Sequence, residues 1–442
     1  EEVVLHQAVL LVGYSLRDLH GTPASLPGGK GSFGQLLELL HFGYSPNSES
    51  VADFPEARLE LKSTGVIPNA TGMWRAKERL VLNVINYHSL VEEESYRDSM
   101  FFKKNGRLLL VIYAWRADLS PLDFQVQAVD VISLGELNES DRAIIEADWR
   151  TIRRVVQEGR AHELSEGDTL YLAACRKGAG RGRDSRTQPF SDEPAPQRAF
   201  SLKPGFVTRL VEKVLASAPE RSDEQAAVDN PAQLLESTFE QLMLARFEVF
   251  RGLTAHQIAT RIAPDLNTRA KGFHASLVSR MLGVRTKKIE ELEKADVTLK
   301  VVRIGKRGRP KESMSFPAFK YRELAKETWR TSNLRGRLSK RFLMAFFAED
   351  GNGYKFSHAT FWSMPETVLE REVRRVWIET VVRIRRGCSH DLPGISFSEV
   401  LHVRPHARNA ADTDRTPDGR ELVRKSFWLN ASYIGRIYRG ET

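Results

Sequence analysis

Cysteine is nearly absent from this chain. Cys175 and Cys388 are the only two in 442 residues, each isolated from other cysteines and from histidine pairs at zinc-ligand spacing. Neither a disulfide framework nor a structural zinc site can be assembled from them. Long hydrophobic runs are missing too, since nothing approaches the roughly 18 uncharged apolar residues that a membrane-spanning helix requires. No leader of basic, apolar and small residues opens the chain, so a soluble, intracellular protein with no membrane partner is expected. No P-loop of the form G-x-x-x-x-G-K-[ST] occurs, which argues against ATP dependence. The histidines, His88, His162, His358, His390, His402 and His406 among them, form no H-E-x-x-H pair and stand beside no serine or cysteine elbow. Zinc hydrolysis and acyl-enzyme chemistry drop out with them.

What is present is length, apolar content and positive charge. A chain of 442 residues with 41% hydrophobic composition is too long for one ordinary domain, and two of roughly 200 residues are expected. Sixty-six Lys and Arg against 57 Asp and Glu give a formal charge of +9 and a pI near 9.4, which favours a polyanionic partner. The basic residues cluster in 176–186, 303–311, 330–341 and 371–386. Solvated basic loops are the plainer reading of the same runs.

Residues 1–18 and 32–42 carry apolar positions at helical spacing, so two helices are expected to open the chain. From Leu59 onward the period changes to two, and residues 80–85, 108–113 and 126–132 read as strands. Residues 140–157 form a charged amphipathic helix with Ser140 as its N-cap, 169–174 a further strand, and 204–215 a closing helix. The expected class is mixed α/β (α+β), with a first domain over 1–216. Residues 217–231 (SAPERSDEQAAVDNP) have the polar, proline-flanked composition of a linker. A second domain over 232–442 opens with a long helix over 233–250 and repeats the earlier order of elements. Gly13-Tyr14-Ser15-Leu16-Arg17-Asp18-Leu19 lies over Gly252-Leu253-Thr254-Ala255-His256-Gln257-Ile258, and Phe200-Ser201-Leu202 over Phe427-Trp428-Leu429. Several such matches in one order indicate an internal duplication. The same alignment makes residues 253–283 a duplicated element in preference to a helix-turn-helix.

The sharpest local feature is DFPEARLELK, which contains Asp53, Glu60 and Lys62. On a strand, Glu60 and Lys62 point to one space while Leu59 and Leu61 point to the core, and Asp53 enters from the preceding turn. Two carboxylates at one point suit Mg²⁺, and a lysine beside them can orient or deprotonate an attacking water. This D-x6-E-x-K pattern is the signature of the PD-(D/E)xK nucleases. Acid-x-lysine alternation is also what a solvated strand face looks like. Glu38, set among Leu36, Leu37, Leu39 and Leu40, either joins the site or points to water from the edge of its apolar stripe.

Lys30-Gly31-x-x-Gly34-x-Leu36-Leu37-Glu38, followed by Asp53-Phe54-Pro55-Glu56 and Leu59-Glu60-Leu61-Lys62, resembles the motif block of the MutH-type endonucleases. Phe200-x-Leu202-Lys203-x-x-Phe206 is similar to that family's entry into its closing helix. The resemblance covers residues 8–212 and, more weakly, 235–440. One intact and one degenerate copy in tandem is similar to the Sau-type restriction endonucleases that cut at GATC. The resemblance implies two restriction-endonuclease-like domains, with Asp53 and Glu60 as metal ligands, Lys62 as the water-positioning base, Glu38 as an auxiliary acid and Lys30 as a DNA contact. In the second copy Thr298 lies over Glu60, Lys300 over Lys62, Ser279 over Glu38 and Glu291 over Asp53, so that half is expected to bind without cutting. A register slip that rebuilt an acidic site from Glu293 or Asp296 is the alternative.

The family reads its target between the last strands and the closing helix, with an Arg-Pro-Lys run. Arg176, Lys177, Arg181, Arg183 and Arg186 occupy that place in the first copy, without the proline, and Arg404, His406, Arg408 and Arg415 in the second, which has Arg404-Pro405-His406. Arginine can bridge guanine O6 and N7 while also anchoring phosphates. The resemblance implies a bacterial, cytoplasmic type II restriction endonuclease. It would be Mg²⁺-dependent, act on double-stranded DNA at GATC-like sites, leave 5′-phosphate ends, pair with a second copy of itself on DNA, and have a companion DNA methyltransferase. The rival readings are a strand-nicking mismatch-repair enzyme and a non-catalytic DNA-binding regulator.

Overall fold

Backbone pairing sorts the strands of each half of the chain into sheets of the same kind. The computed structural model describes all residues except 24–32, 46–50, 70, 71, 178–183, 217–222, 271, 287 and 352. Two compact units result. One comprises Glu1–Leu242 with Lys288–Asp296, the other Met243–Lys287 with Val297–Thr442.

In the first unit the strands are β1 (Glu60–Pro68), β2 (Trp74–Ala76), β3 (Leu80–Val84), β4 (Arg107–Ala114), β5 (Val126–Ser133), β6 (Leu172–Arg176), β7 (Ser185–Gln188), β8 (Ser191–Pro196) and β9 (Arg198–Leu202), with a short pair β10 (Glu224–Gln225) and β11 (Lys288–Ile289). They form a mixed sheet of order β2-β1-β4-β5, a second sheet of order β3-β9-β6, and a β7-β8 hairpin. β4 reads as an unbroken apolar run because it lies inside its sheet, between parallel β1 and antiparallel β5, and Leu108 to Ile112 are all fully buried.

The second unit contains β12 (Thr298–Ile304), β13 (Met314–Ser315), β14 (Arg341–Glu349), β15 (Tyr354–Ser363), β16 (Leu401–Pro405), β17 (Thr413–Arg415), β18 (Glu421–Val423) and β19 (Lys425–Leu429). Their orders are β12-β14-β15, β13-β19-β16 and β17-β18. The parallel β12–β14 and antiparallel β14–β15 pairs match β1–β4 and β4–β5, and β13, β19 and β16 match β3, β9 and β6. Phe342, Met344, Phe346 and Trp362 belong to the core of this unit.

The duplication extends to single backbone bonds. The Gly13 N–H donates to the carbonyl of Val126 at 2.9 Å, and the Gly252 N–H donates to that of Phe356 at 2.8 Å. Both glycines have positive φ, +87° and +80°. Each is followed by a helix with a capping box, Ser15 with Asp18 in helix Leu16–His20 and Thr254 with Gln257 in helix Ala255–Ile262.

That turn also corrects the expected helix over 1–18. Glycine in the left-handed region and a fresh N-cap at Ser15 end one helix at Val9 and start another at Leu16. The expected helix over 233–250 divides likewise into Gln233–Glu236 and Phe239–Glu248, because Thr238 and Gln241 exchange backbone and side-chain bonds and restart the helix. Helix Glu139–Gln157 is capped by Asn138, whose side chain accepts from the Asp141 N–H at 2.8 Å, and not by Ser140. The strand expected over 169–174 runs over Leu172–Arg176, because the N–H groups of Leu170, Tyr171 and Leu172 are taken up by the side chain of Asp148.

Of residues 217–231, the described part 223–231 packs into the first unit. β10 pairs with β11, and the Glu291 carboxylate accepts from the N–H groups of Ala227 and Val228, each at 2.9 Å. Lys294 donates to Asp141 at 2.7 Å in the same unit.

Candidate active site

The six residues between Asp53 and Glu60 form one closed loop. Pro55–Ala57 makes a single 3₁₀ turn, Arg58 takes φ +52°, and the Phe54 N–H donates to the Leu59 carbonyl at 2.9 Å. Closure sets the two acids side by side, where Glu60 holds the backbone of Asp53 and Asp53 holds that of Leu61, the residue after Glu60. The Asp53 Oδ2 accepts from the Leu61 N–H at 2.9 Å, and the Glu60 Oε2 accepts from the Asp53 N–H at 3.2 Å.

Lys62 Nζ donates to the Glu60 Oε1 at 2.5 Å, and Lys104 Nζ, at the end of helix Met100–Asn105, approaches the same oxygen to 3.7 Å. Strict alternation along β1 does not hold, because Glu60 is as deeply buried as Leu61, at 2% and 4% exposure. β1 is an interior strand between β2 and β4, so neither of its edges is open. Burial holds the Glu60 carboxyl above the ordinary range, against the pull of Lys62.

Glu38 sits half-buried on a π-helical turn, Leu37–His41, that continues helix Phe33–Leu36. Such turns displace one side chain from the helical stripe and recur at functional sites. Burial, and next the charge of Asp53, hold its carboxyl above the ordinary range, while Lys62 and Lys104 oppose them. Glu38 therefore lies within reach of the charges of Asp53, Glu60 and Lys62. Ionising it costs stability, because the folded chain binds its proton more tightly than the unfolded chain does. Glu38→Gln is expected to raise the melting temperature at pH 8 by about 2 °C, a fraction of a kcal/mol in a protein of this size. The gain should vanish near pH 4, where the carboxyl is already protonated, and a gain that persists there would refute this origin.

Two positions carried no sequence signal. Lys104 lies on a different element from Glu60, and Tyr44 follows the helix stop at Gly43. The Tyr44 hydroxyl is buried and has no hydrogen-bond partner among the described residues. Burial, then the neighbouring charges of Asp53, Glu38 and Glu60, push its phenol far above the ordinary range. A hydroxyl left so costs about 1–3 kcal/mol, and a partner oxygen brought to the neighbouring carboxylates would relieve that cost. Among the described residues no three Asp, Glu, His or Cys side chains gather to cage an ion. Asp53 and Glu60 do supply two hard oxygen donors, and Mg²⁺ typically takes one or two carboxylates and keeps its other positions for water and phosphate. The donor set and the waiting Tyr44 hydroxyl fit that ion. Tyr44→Phe is expected to raise the melting temperature without metal by about 2 °C and to slow cleavage about tenfold or more. Unchanged cleavage would remove Tyr44 from the site.

The described basic residues lie on β6, β7, β16 and β17 and in the loops that follow β6 and β16. Arg176 ends β6 and Lys177 follows it, both exposed, and Arg186 on β7 donates to the Gln197 side chain at 2.8 Å. Lys30, Arg181 and Arg183 fall outside the described residues. In the second unit the Arg404 guanidinium stacks 3.7 Å over Trp428, and His406 bonds Ser426 and packs on the same indole. Arg408 and Arg415 are exposed beyond it, Arg415 on β17.

The second unit keeps the strand and loses the acids. β12 pairs Thr298 with Phe342 and Lys300 with Met344, as β1 pairs Glu60 with Leu108 and Lys62 with Leu110. Ser279 is buried and bonds within its own helix. The expected counterpart of Asp53 is otherwise engaged, because Glu291 is the acceptor for Ala227 and Val228 in the first unit, and Asp296 accepts there from the Gly205 N–H. Among the described residues no helix is long and apolar enough to cross a membrane.

The family model of the DNA mismatch repair enzyme MutH matches residues 42–148 and again 282–370. The type II restriction enzyme Sau3AI of Staphylococcus aureus is 32% identical over 485 residues, covering 98% of this chain and 97% of that protein. The chain belongs to the MutH-type endonuclease family. Both MutH segments include the parallel strand pair of their unit, and the first contains Asp53, Glu60 and Lys62.

Proposed function

We propose that the chain is a Mg²⁺-dependent type II restriction endonuclease that cuts double-stranded DNA at GATC-like sites and leaves 5′-phosphate and 3′-hydroxyl ends. The observation that carries this reading is the closed Asp53–Glu60 loop with Lys62 on the buried carboxylate, present among the described residues in the first unit and not in the second. Likeness to a type II restriction enzyme over 98% of the chain supports the tandem form against a single-copy repair enzyme.

Asp53 and Glu60 would hold the ion, which when bound polarises the phosphate and lowers the pKa of a water. Lys62 orients that water for in-line attack, and its charge offsets the negative charge gathering on phosphorus. As the new P–O bond forms, the bond to the 3′ oxygen breaks and that oxygen takes up a proton. Lys104 holds Glu60 from the other side, and Tyr44 donates to the incoming oxygen. The second unit, with Thr298 and Ser279 in place of carboxylates, binds DNA without cutting. One hydrolytic centre per chain calls for two chains on a duplex to break both strands, and the host needs a methyltransferase to protect its own sites. The bacterial cytoplasm is the setting for both.

Unmethylated plasmid incubated with the chain and Mg²⁺ tests this reading, with the ends mapped by sequencing. Discrete double-strand ends at GATC support it. Nicked circles alone at excess enzyme would move the assignment to a strand-nicking repair enzyme, and binding without cleavage under any divalent metal would move it to a regulator.

A further inference from the structure

Two histidines that no motif joins in the sequence meet through their ring nitrogens in the first unit. His20 ends helix Leu16–His20 and His41 ends the π-helical turn Leu37–His41, with 3.1 Å between the His20 Nε2 and the His41 Nδ1. The rings stand at 73° with their centres 5.3 Å apart, so they are crossed and not stacked. The other nitrogen of His41 settles its tautomer. Nε2 lies 2.9 Å from the Gln7 carbonyl, which can only accept, so Nε2 carries the proton and Nδ1 turns a lone pair toward His20. The Gln7 side chain donates back to the His41 carbonyl at 2.8 Å, and the two bonds together hold this turn to helix Glu2–Val9. Burial holds the His41 imidazole below its ordinary range, against the bond to Gln7, so the ring is neutral at pH 7.

We propose that His20 and His41 form a site for a divalent transition-metal ion of the Zn²⁺ class, held by the two facing nitrogens and completed by water. Their separation of 3.1 Å falls within the about 2.9–3.4 Å that two nitrogens take when each lies about 2.0–2.1 Å from one ion. A ring that gives its second N–H to a backbone carbonyl is the usual arrangement of a metal-ligating histidine, because that bond fixes tautomer and orientation together. Imidazole suits Zn²⁺, Ni²⁺ and Cu²⁺, whereas Mg²⁺ takes oxygen ligands. In the neutral pair one proton lies on the line between the two nitrogens. Binding moves the His20 proton from Nε2 to the outer Nδ1 through solvent, and both facing lone pairs go to the ion. The ion then joins helix Leu16–His20 to the turn that carries Glu38.

The test uses the full-length chain at neutral pH without DNA. Histidines are carbethoxylated under limiting reagent and each rate is read by mass spectrometry, with exposed His256 of the second unit as the internal reference. Free His20 offers the reagent a lone pair on Nδ1, whereas in the metal-bound pair that nitrogen carries the proton. At a Zn²⁺ concentration about tenfold above the dissociation constant, which the protection curve itself gives, His20 should react about tenfold more slowly, because only the free fraction reacts. Mg²⁺ at the same concentration should leave the rate unchanged. His20→Ala, a change at an exposed side chain, should bind one Zn²⁺ fewer per chain in equilibrium dialysis. An unchanged His20 rate with Zn²⁺ would overturn the proposal. So would equal protection of His256, which would mark binding to single histidines, or Zn²⁺ uptake by His20→Ala equal to that of the original chain. Protection by Mg²⁺ as well would overturn the transition-metal assignment. A chain that never cleaved plasmid would still give this readout.

Discussion

Glu60→Ala is expected to lower the rate of plasmid cleavage by about a thousandfold or more, the scale on which removal of a metal ligand and of preorganised charge acts. One side chain carries so much because three groups converge on it. Its Oε1 accepts from Lys62 and faces Lys104, and its Oε2 accepts from the Asp53 N–H. Without it two cations lose their anion, Lys62 is freed from its position, and the loop that presents Asp53 loses a clasp. Glu60→Gln separates charge from shape, since the amide can keep the bond from the Asp53 N–H while losing the negative charge that Lys62 and the proposed Mg²⁺ need. Both variants should be inactive, with Gln the better folded by thermal melting. Thr298→Ala, at the same register in the second unit, should leave plasmid cleavage within about twofold, as surface and non-catalytic changes usually do. A Glu60→Ala chain that still cuts within tenfold of the original would mean that the hydrolytic centre lies elsewhere.

The largest stability effect is expected at Asp148. Its carboxylate lies 6% exposed in helix Glu139–Gln157 and accepts from three consecutive N–H groups, those of Leu170, Tyr171 and Leu172, at 2.8, 2.6 and 2.9 Å. It thereby fixes where β6 begins, and β6 leads to Arg176. Asp148→Ala leaves three buried donors without an acceptor, at about 1–3 kcal/mol each before relaxation, so a loss of about 3–5 kcal/mol is expected in the transition of the first unit. Asp148→Asn keeps one acceptor oxygen and should lose less. Burial pushes the Asp148 carboxyl up to about 6 from 3.8, against the three amides that pull it down. Between those pH values the folded chain binds more protons than the unfolded one, so the contribution of Asp148 to stability falls as pH rises through the window and levels off above it. Urea unfolding from pH 4 to 8, followed by hydrogen exchange at residues 170–172, reads both effects. A slope in that window that survives in Asp148→Asn would assign it to another group.

The sequence was most legible where chemistry and covalent spacing coincide. Asp53, Glu60 and Lys62 lie within ten residues, and one closed loop on one strand suffices to bring them together. The duplication was legible because it repeats local devices, a left-handed glycine and a capping box, that are written in consecutive residues. Helix limits were read less well. Periodicity runs on through Gly13 and through Thr238, whereas the chain turns there because a competing cap holds the backbone.

By itself the sequence determined the mixed α/β class, the tandem copies, the acidic triplet and its loss from the second copy, because each depends on residue type and short-range order. The tertiary structure alone decided that Lys104 meets Glu60, that Glu38 and Tyr44 lie among the charges of Asp53 and Glu60, and that residues 288–296 fold with the first unit. Each of these depends on groups far apart in the chain, whose meeting is set by sheet register and burial and not by their spacing.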